Sequence, residues 1–272
     1  MATPPLTLMA VHAHPDDEVL GTGGLLARSA AEGVRTVLVT CTGGEQGDAP
    51  GGIKPGEAGH DPAAVAALRR TELAASAKLL AIDHVELLGY RDSGMAGWDG
   101  NGDPLAFTNV PVADAAARVA ELMERYRPQV VVTYDENGGY GHPDHIQAHR
   151  AAVAAAEATG IPDKLYYTAV PRSGVRAMFE QARAAGIDMG ADLPDDFGVP
   201  DELITTVLDV AVHADTKRDA LLAHASQRDS VFLLGLPEEI QRMVFSFEAF
   251  TRATSRVAAP DAEDDVFAGL RS

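Results

Sequence analysis

Short apolar runs alternate with longer, often alanine-rich segments along the first 170 residues of the chain. The apolar runs are typical of buried strands and lie at residues 6–12, 35–42, 84–89, 129–134 and 164–170. The segments between them predict helices at residues 19–33, 63–82, 110–126 and 142–160. This alternation predicts an α/β fold with a doubly wound, mostly parallel, Rossmann-like sheet and helices on both faces.

Beyond residue 170 the pattern is weaker. Residues 202–210 alternate like a strand, and residues 188–200 predict an acidic loop. The segments with helical character are residues 174–187, 216–227 and 237–254. We therefore assign residues 1–170 to a catalytic core and residues 171–272 to a smaller C-terminal part that completes the fold and caps the site. The two parts are expected to form a single structural unit.

Two polar loops are expected to border a site at the carboxyl ends of the strands. One covers residues 43–62 and carries Glu45 and Asp48, and the other covers residues 91–108 and holds Trp98. Both are rich in glycine and acidic residues, which predicts irregular surface structure. The first loop is expected to be mobile over the site.

Glycines near the start of the first predicted helix invite a comparison with dinucleotide-binding proteins. The third glycine of that fingerprint is replaced by Leu26, and the second strand ends in Thr42 where an acidic residue is required. The sequence therefore excludes a phosphate-binding loop of this type.

The charge balance excludes other classes of partner. The chain has 40 acidic and 22 basic residues, a net charge of −18, which disfavours binding to nucleic acid or to an anionic membrane. Cys41 is the only cysteine, so a reducing, cytoplasmic setting is expected. The sequence shows no signal pattern and no apolar run long enough to span a bilayer. A small-molecule partner is expected, and assembly into a homo-oligomer is left open.

The chemistry of the chain is concentrated in two clusters that share a His-Pro-Asp unit. Residues 14–18 follow the first predicted strand and hold one histidine and three acids; residues 141–145 follow the fourth strand and hold two histidines and an aspartate. In an open α/β sheet, ligands bind at this end of the strands. Either unit alone is compatible with an ordinary helix start. Two such units predict a divalent metal, because buried charges of this density need a cation.

A hydrolytic metal centre needs three protein ligands and one open position for water. We expect His14, Asp17 and His145 to be the ligands. They suit one Zn²⁺ per chain, and other divalent first-row metals also fit these donors. Asp16 points away from its neighbour at the strand-to-helix turn and can act as the general base. His12 is interpreted as a packing residue.

Three residues before His145, His142 is expected on the same helix face. A protonated His142 could stabilise an oxyanion and protonate the leaving amine, with Asp144 setting its orientation and charge. Spacing alone leaves open the reverse assignment, in which His142 is the ligand and His145 is not. His149, one turn further on, is a weaker candidate ligand.

Candidate substrate-binding residues are Arg69, Asp92 and Glu45, whose charged groups could bind a polyol. Arg69 could instead be a solvated helix charge or an ion-pair partner of Glu72. Tyr140, beside the second cluster, could donate to a developing oxyanion or act as an aromatic lid.

These residues resemble the PIG-L/LmbE-type zinc-dependent de-N-acetylases. The resemblance rests on residues 13–18 and 142–145 and extends to about residue 227 through residues 91–94, 133–140 and 224–227 and the pair Arg69 and Glu72. Within the family the chain is most similar to the actinobacterial mycothiol-pathway enzymes, the N-acetylglucosaminyl-inositol deacetylase and the mycothiol conjugate amidase. The resemblance implies the roles given above and favours His145 over His142 as ligand.

The expected function is therefore removal of an N-acetyl group from an amino sugar such as N-acetylglucosaminyl-inositol by metal-activated water. A conjugate amidase and a tailoring deacetylase of natural-product synthesis are alternatives. A non-catalytic metal- or sugar-binding module is a further alternative, although it would not need Asp16. Residues 91–95 and 139–142 resemble the deacetylase, and residues 136 and 164–167 the amidase. Gly21 stands where the amidase carries a lysine, and we expect this position at the pocket rim.

Overall fold

The computed structural model describes residues 5–187 and 194–271. Within these residues seven strands form one sheet: β1 (Thr7–His12), β2 (Arg35–Thr42), β3 (His84–Tyr90), β4 (Val130–Thr133), β5 (Lys164–Ala169), β6 (Thr206–Asp209) and β7 (Phe247–Ser255). Their order across the sheet is β3-β2-β1-β4-β5-β7-β6. Strands β1 to β5 are parallel, and β7 is antiparallel to both β5 and β6.

The helices of the described part are α1 (Asp17–Ala31), α2 (Pro62–Leu79), α3 (Val112–Tyr126), α4 (Gly138–Gly141), α5 (Pro143–Thr159), α6 (Arg172–Ala184), α7 (Ala214–Ala223), α8 (Arg228–Val231) and α9 (Glu238–Ser246). None of them has both the length and the apolar character needed to cross a membrane. On one face of the sheet, α3 and α5 pack against β1 through Val119, Ala152 and Val11. On the other face, α1 packs against β1 through Leu25 and Leu8. The predicted α/β fold with helices on both faces is confirmed.

The two clusters meet because of the strand order. Strands β1 and β4 are neighbours, and the chain leaves β1 for β2 on one side and β4 for β5 on the other. Such a reversal opens a crevice at the carboxyl ends of the two strands. The first cluster directly follows β1 and the second lies in the α4–α5 region after β4, so both border this crevice.

The prediction of a helix over residues 237–254 is wrong in its second half. Helix α9 ends at Ser246, and the chain continues as β7 between β5 and β6. Ala249 and Phe250 are buried there. Pairing with two neighbouring strands outweighs the helical pattern of the local sequence. Both β6 and β7 follow residue 170, so the C-terminal part contributes two strands to the sheet of the core. The predicted loop at residues 188–200 lies partly outside the described residues.

Candidate metal centre and active site

The first cluster lies at a sharp turn between β1 and α1. Asp16 has a φ of 113°, which costs a non-glycine residue about 1–3 kcal/mol. Its N–H donates to Glu18 Oε2 at 2.9 Å, which helps to hold this conformation. The other oxygen of buried Glu18 accepts from the Ser76 hydroxyl at 2.6 Å and from His224 Nε2 at 2.8 Å. The turn is thus fixed from behind by residues of α2 and of the C-terminal part.

The second cluster forms the start of α5. One hydrogen bond to each of its two histidines indicates which ring nitrogen carries the proton. Pro143 is the first helical residue, and His142 Nδ1 accepts the Asp144 N–H at 3.2 Å. Neutral His142 therefore carries its proton on Nε2. His145 Nδ1 lies 3.1 Å from the Gly138 carbonyl, which can only accept. Neutral His145 therefore has its lone pair on Nε2.

The three predicted metal ligands converge on one point. Asp17 Oδ2 lies 3.3 Å from His14 Nδ1, and Oδ1 lies 3.4 Å from His145 Nε2. His14 Nε2 lies 3.2 Å from the Asp144 carboxylate, so Nε2 donates and Nδ1 faces Asp17. His145 Nε2 is buried and has no hydrogen-bond partner among the described residues. Two imidazole lone pairs and a carboxylate around one point fit a divalent cation.

The charges around His14 also favour a cation here. Burial alone would lower the pKa of His14, but Asp92, Asp144 and Asp17 raise it well above its usual value. Burial alone would raise the pKa of Asp17, but His145 and His14 hold it well below its usual value. The surrounding carboxylates therefore stabilise positive charge at this point.

His142 faces the same centre. Its ring centroid lies 4.5 Å from that of His14 and 4.8 Å from that of His145. Ligand atoms of the three histidines lie within 4.8 Å of one another, so the geometry leaves open whether His142 joins the ligands. Burial, followed by the charges of His14 and His145, lowers the pKa of His142 to about 3. The site therefore favours neutral His142, in contrast to the protonated form expected from the sequence, and a metal cation would act in the same direction.

The sequence suggested that the Asp144 carboxylate orients His142, but the structure gives this carboxylate other partners. It accepts from the Ser93 N–H at 2.8 Å and from the Ser93 hydroxyl, and it contacts His14 Nε2. Only the backbone N–H of Asp144 reaches His142, because that residue is the N-cap of α5. Asp144 therefore orients the predicted ligand His14.

Asp92 is a further partner of His14. Its Oδ1 lies 3.5 Å from His14 Nε2 and accepts the Gly94 N–H at 2.8 Å, while Oδ2 accepts the Gln46 N–H at 3.1 Å. His14, Asp92 and Asp144 also lie close enough together to be possible metal ligands. The hydrogen bonds of the two carboxylates explain why these three residues are close. The carboxylates are occupied by N–H donors, so they serve as partners of His14 rather than as a second cation site.

Arg69 is buried, and its guanidinium binds the first cluster. Nη2 lies 3.0 Å from Asp16 Oδ1, and Nη1 donates to the Gly44 carbonyl at 2.9 Å. The alternative ion pair with Glu72 is wrong, because Glu72 accepts from the Ser226 N–H and hydroxyl at 2.9 and 2.7 Å. Arg69 therefore holds the predicted base in place.

The second oxygen of Asp16 has a partner from the C-terminal part. The Ser230 hydroxyl donates to Asp16 Oδ2 at 2.6 Å. Burial raises the pKa of Asp16 although the Arg69 charge opposes this shift. A carboxylate with a raised pKa takes up a proton more readily, which suits a general base.

A cavity of about 640 Å³ opens beside these groups. It is lined by Arg69 and Asp92 and by four exposed apolar or aromatic side chains, Leu20, Met95, Trp98 and Tyr140. A cavity of this size accommodates a small glycoside. Glu45 does not line it, and its neighbour Gln46 does. Gly21 also lies outside the lining; a Cβ there would come within 3.2 Å of Thr168, so this position does not form the rim.

Several other residues hold the site together without a role assigned from the sequence. Ser93, Tyr134 and Gln227 lie in segments that carry the family resemblance, but no sequence pattern predicts their contacts. Gln227 binds both backbone groups of Asp48 at 3.1 and 3.2 Å and so ties the loop at residues 43–62 to the C-terminal part. Ser230 lies outside every motif.

Two histidines differ from the rest of the site. His149 Nδ1 lies 2.8 Å from the Tyr134 carbonyl and its ring packs against Tyr167, so it does not join the metal centre. His12 is buried as expected, but it also makes hydrogen bonds to Tyr134 and Thr22.

The chain is similar to known proteins over most of its length. The model of the family described as PIG-L: GlcNAc-PI de-N-acetylase matches residues 9–156. The 1D-myo-inositol 2-acetamido-2-deoxy-alpha-D-glucopyranoside deacetylase of Acidothermus cellulolyticus is 43% identical, covering 97% of this chain and 95% of that protein.

Solved structures share the fold at lower sequence identity. The N,N'-diacetylchitobiose deacetylase of Pyrococcus horikoshii has a TM-score of 0.57 at 21% identity, covering 90% of this chain and 83% of that one. GalB, the 4-carboxy-2-hydroxymuconate hydratase of Pseudomonas putida, has a TM-score of 0.61 at 20% identity, covering 94% of this chain and 99% of that one. Because these two proteins carry out different reactions, the fold alone does not determine the chemistry.

Proposed function

Since the chain belongs to the PIG-L family of GlcNAc-PI de-N-acetylases, we propose that it removes the acetyl group from 1D-myo-inositol 2-acetamido-2-deoxy-α-D-glucopyranoside by metal-dependent amide hydrolysis. The observation that carries the proposal is the convergence of His14, Asp17 and His145 beside Asp16 in a cavity large enough for this glycoside. The high coverage of the deacetylase relative supports the choice of substrate.

We propose Zn²⁺ as the metal and His14, Asp17 and His145 as its ligands. A divalent metal supplies a lowered pKa for water and polarisation of the amide carbonyl. The protein contributes the orientation of its donors, since Asp144 and Gly138 bind the nitrogens that face away from the centre.

Asp16 is the proposed general base. It accepts a proton from the attacking water and, once protonated, donates it to the nitrogen of the leaving amine. Arg69 and Ser230 bind its two oxygens and fix the carboxylate beside the cavity. His142 is proposed to donate its Nε2–H to the developing oxyanion as a neutral imidazole. Tyr140 also lines the cavity, and its hydroxyl is proposed as a second donor.

The proposed substrate contacts are at the wall of the cavity. Arg69 and Asp92 line it, but their charged groups already bind Asp16 and His14, so they are proposed to position these two residues rather than the polyol; Glu45 lies outside the lining. The proposed capping role of residues 171–272 is supported by Gln227 and Ser230, which line the cavity from the C-terminal part.

The decisive experiment measures acetate release by protein loaded with one defined metal. We expect the inositol glycoside to exceed plain N-acetylglucosamine by at least about tenfold in kcat/KM, the equivalent of one charge-assisted hydrogen bond. A mycothiol conjugate that is hydrolysed faster than both sugars would instead assign the chain to the amidases. Metal-free protein should be inactive, and comparison of Zn²⁺ with other first-row metals tests the choice of zinc.

A further inference from the structure

Tyr134, the first residue after β4, is buried where the two clusters meet. Its hydroxyl lies 2.7 Å from Asp17 Oδ2 and accepts the Ala13 N–H at 2.9 Å. Its ring stacks on the imidazole of His145, with 4.1 Å between centroids and 16° between planes. One side chain thus contacts two of the three proposed metal ligands.

A further hydrogen-bonded side chain lies behind Tyr134. His12 Nδ1 lies 3.3 Å from the phenol oxygen, and Nε2 lies 2.8 Å from Thr22 Oγ1. An ionised Asp17 can only accept, so the phenol proton points to Asp17 and the phenol oxygen is an acceptor. His12 then donates from Nδ1, and its Nε2 contacts the Thr22 hydroxyl, which itself donates to the Glu18 carbonyl at 3.0 Å. The donors therefore run in one direction from His12 through Tyr134 to Asp17.

We propose that Tyr134, backed by His12, is a positioning residue that sets the metal affinity of the site. The hydrogen bond to Oδ2 fixes the Asp17 carboxylate with Oδ1 turned toward His145 Nε2. The stacked ring fixes the plane of His145, whose Nδ1 is held by the Gly138 carbonyl. Oδ2 also accepts the His14 N–H at 2.8 Å, so the phenol hydroxyl is one of two donors that hold this oxygen. Without the hydroxyl, Asp17 gains rotational freedom that metal binding must remove. This inference rests on the proposed function in one respect, the assignment of His14, Asp17 and His145 as the metal ligands.

The test is Tyr134→Phe, which removes the hydroxyl and retains the ring. We expect Zn²⁺ to bind about 10- to 100-fold more weakly in a chelator competition assay, the usual effect of losing a partner of a metal ligand. Added Zn²⁺ should also raise the Tm of this variant less than that of the wild type. Tyr126→Phe is the matched control, because that phenol binds the Glu86 carboxylate at 2.5 Å away from the site. The control should bind Zn²⁺ as the wild type does.

The outcomes separate three possibilities. A purely structural role of Tyr134 would lower the Tm of the metal-free and Zn²⁺-loaded forms equally and leave the Zn²⁺ affinity unchanged, which would overturn the inference. A wild-type protein that binds no Zn²⁺ would overturn the proposed metal site instead. Should Tyr134→Phe fail to fold, His12→Leu decides, because it retains the phenol and removes the donor behind it. Weaker Zn²⁺ binding is then expected, and an unchanged affinity would overturn the proposal.

Discussion

Ser230 in the C-terminal part donates its hydroxyl proton to Asp16 Oδ2 over a distance of 2.6 Å. Arg69 lies 3.0 Å from the other carboxylate oxygen. Both oxygens of the proposed base are therefore held by residues distant in sequence from the first cluster. The position of this carboxylate depends on contacts that assemble only in the complete fold.

Replacing Asp16 with Asn should separate catalysis from metal binding. Asn retains the shape of the side chain but cannot take up the proton of the attacking water. We expect kcat to fall by about 10²-fold or more, while the metal content remains that of the wild type. Steady-state kinetics together with metal analysis check this, and near-normal turnover would remove Asp16 from the mechanism.

The Ser230→Ala substitution tests the partner of the base. Loss of one hydrogen bond to a charged group should lower kcat by about tenfold, and KM should change little because the hydroxyl is bound to Asp16. Ser230→Thr retains the hydroxyl and should restore most of the activity. An unchanged kcat in the Ala variant would show that Arg69 alone positions the carboxylate.

The ligand assignment predicts different results for histidines on one helix. His145→Ala should lose metal and activity together, whereas His142→Ala should keep the metal and lose kcat by about 10²-fold, the effect of a lost oxyanion donor. His149→Ala is the matched control and should retain the metal, because its ring contacts Tyr167 away from the centre. Loss of metal from His142→Ala would make that residue a ligand.

Trp98 is a more direct test of sugar specificity than Arg69. It lines the cavity with 43% of its surface exposed, and apolar exposure in a groove is typical of a binding surface. Trp98→Ala should reduce the preference for the inositol glycoside over N-acetylglucosamine, with the change mainly in KM. Arg69→Ala should instead lower kcat for both sugars, because Arg69 holds Asp16. If wild type and Trp98→Ala prefer the inositol glycoside over N-acetylglucosamine equally, the inositol does not bind at Trp98.

Glu263 provides a pH-dependent contribution to stability outside the site. It is buried, with Lys164 Nζ at 2.5 Å, Arg252 Nη1 at 3.0 Å and the Tyr166 hydroxyl at 2.7 Å. Burial alone would raise its pKa, but Lys164, Tyr166 and Arg252 together lower it below the usual 4.5. The stabilisation is therefore present above pH 4.5 and is lost as the pH falls through the lowered pKa.

Glu263→Gln should consequently cost about 3 kcal/mol or more near neutral pH, since it leaves buried Lys164 and partly buried Arg252 without their carboxylate. The difference from the wild type should shrink in acid, where the wild-type carboxylate also becomes neutral. Urea unfolding at several pH values measures this. A difference that stays constant into acid would contradict an ionised Glu263.

The parallel half of the fold is predictable because its signals are local. Every residue of Thr7–His12 is buried, and a continuous apolar run of that length indicates a strand enclosed by helices on both faces. The position of the two clusters is predictable in the same way, because each follows a predicted strand and the carboxyl ends of parallel strands lie at the same edge of the sheet. The convergence of His14, Asp17 and His145 therefore follows from the sequence and the strand order.

The remaining features depend on long-range contacts. Residues of β7 gain strand structure by pairing with β5 and β6, because the strand propensity of two phenylalanines and two threonines in Phe247–Ser255 is too weak a local signal to end the predicted helix. The contact of Asp144 with His14 likewise follows from the direction of the first turn of α5, which spacing does not specify. Ser230 had no signal because a lone serine has too many possible roles.

The late position of β7 in the chain has a consequence for the order in which the protein acquires its parts during synthesis. The proposed metal ligands and β1 to β5 all leave the ribosome before β6, and β6 pairs with β7, which is made later still. Ser230 and His224, which brace Asp16 and Glu18, also emerge after the ligands. Asp16, the carboxylate that would turn a bound metal into a catalyst, therefore gains Ser230 as a partner only after every proposed metal ligand has been made.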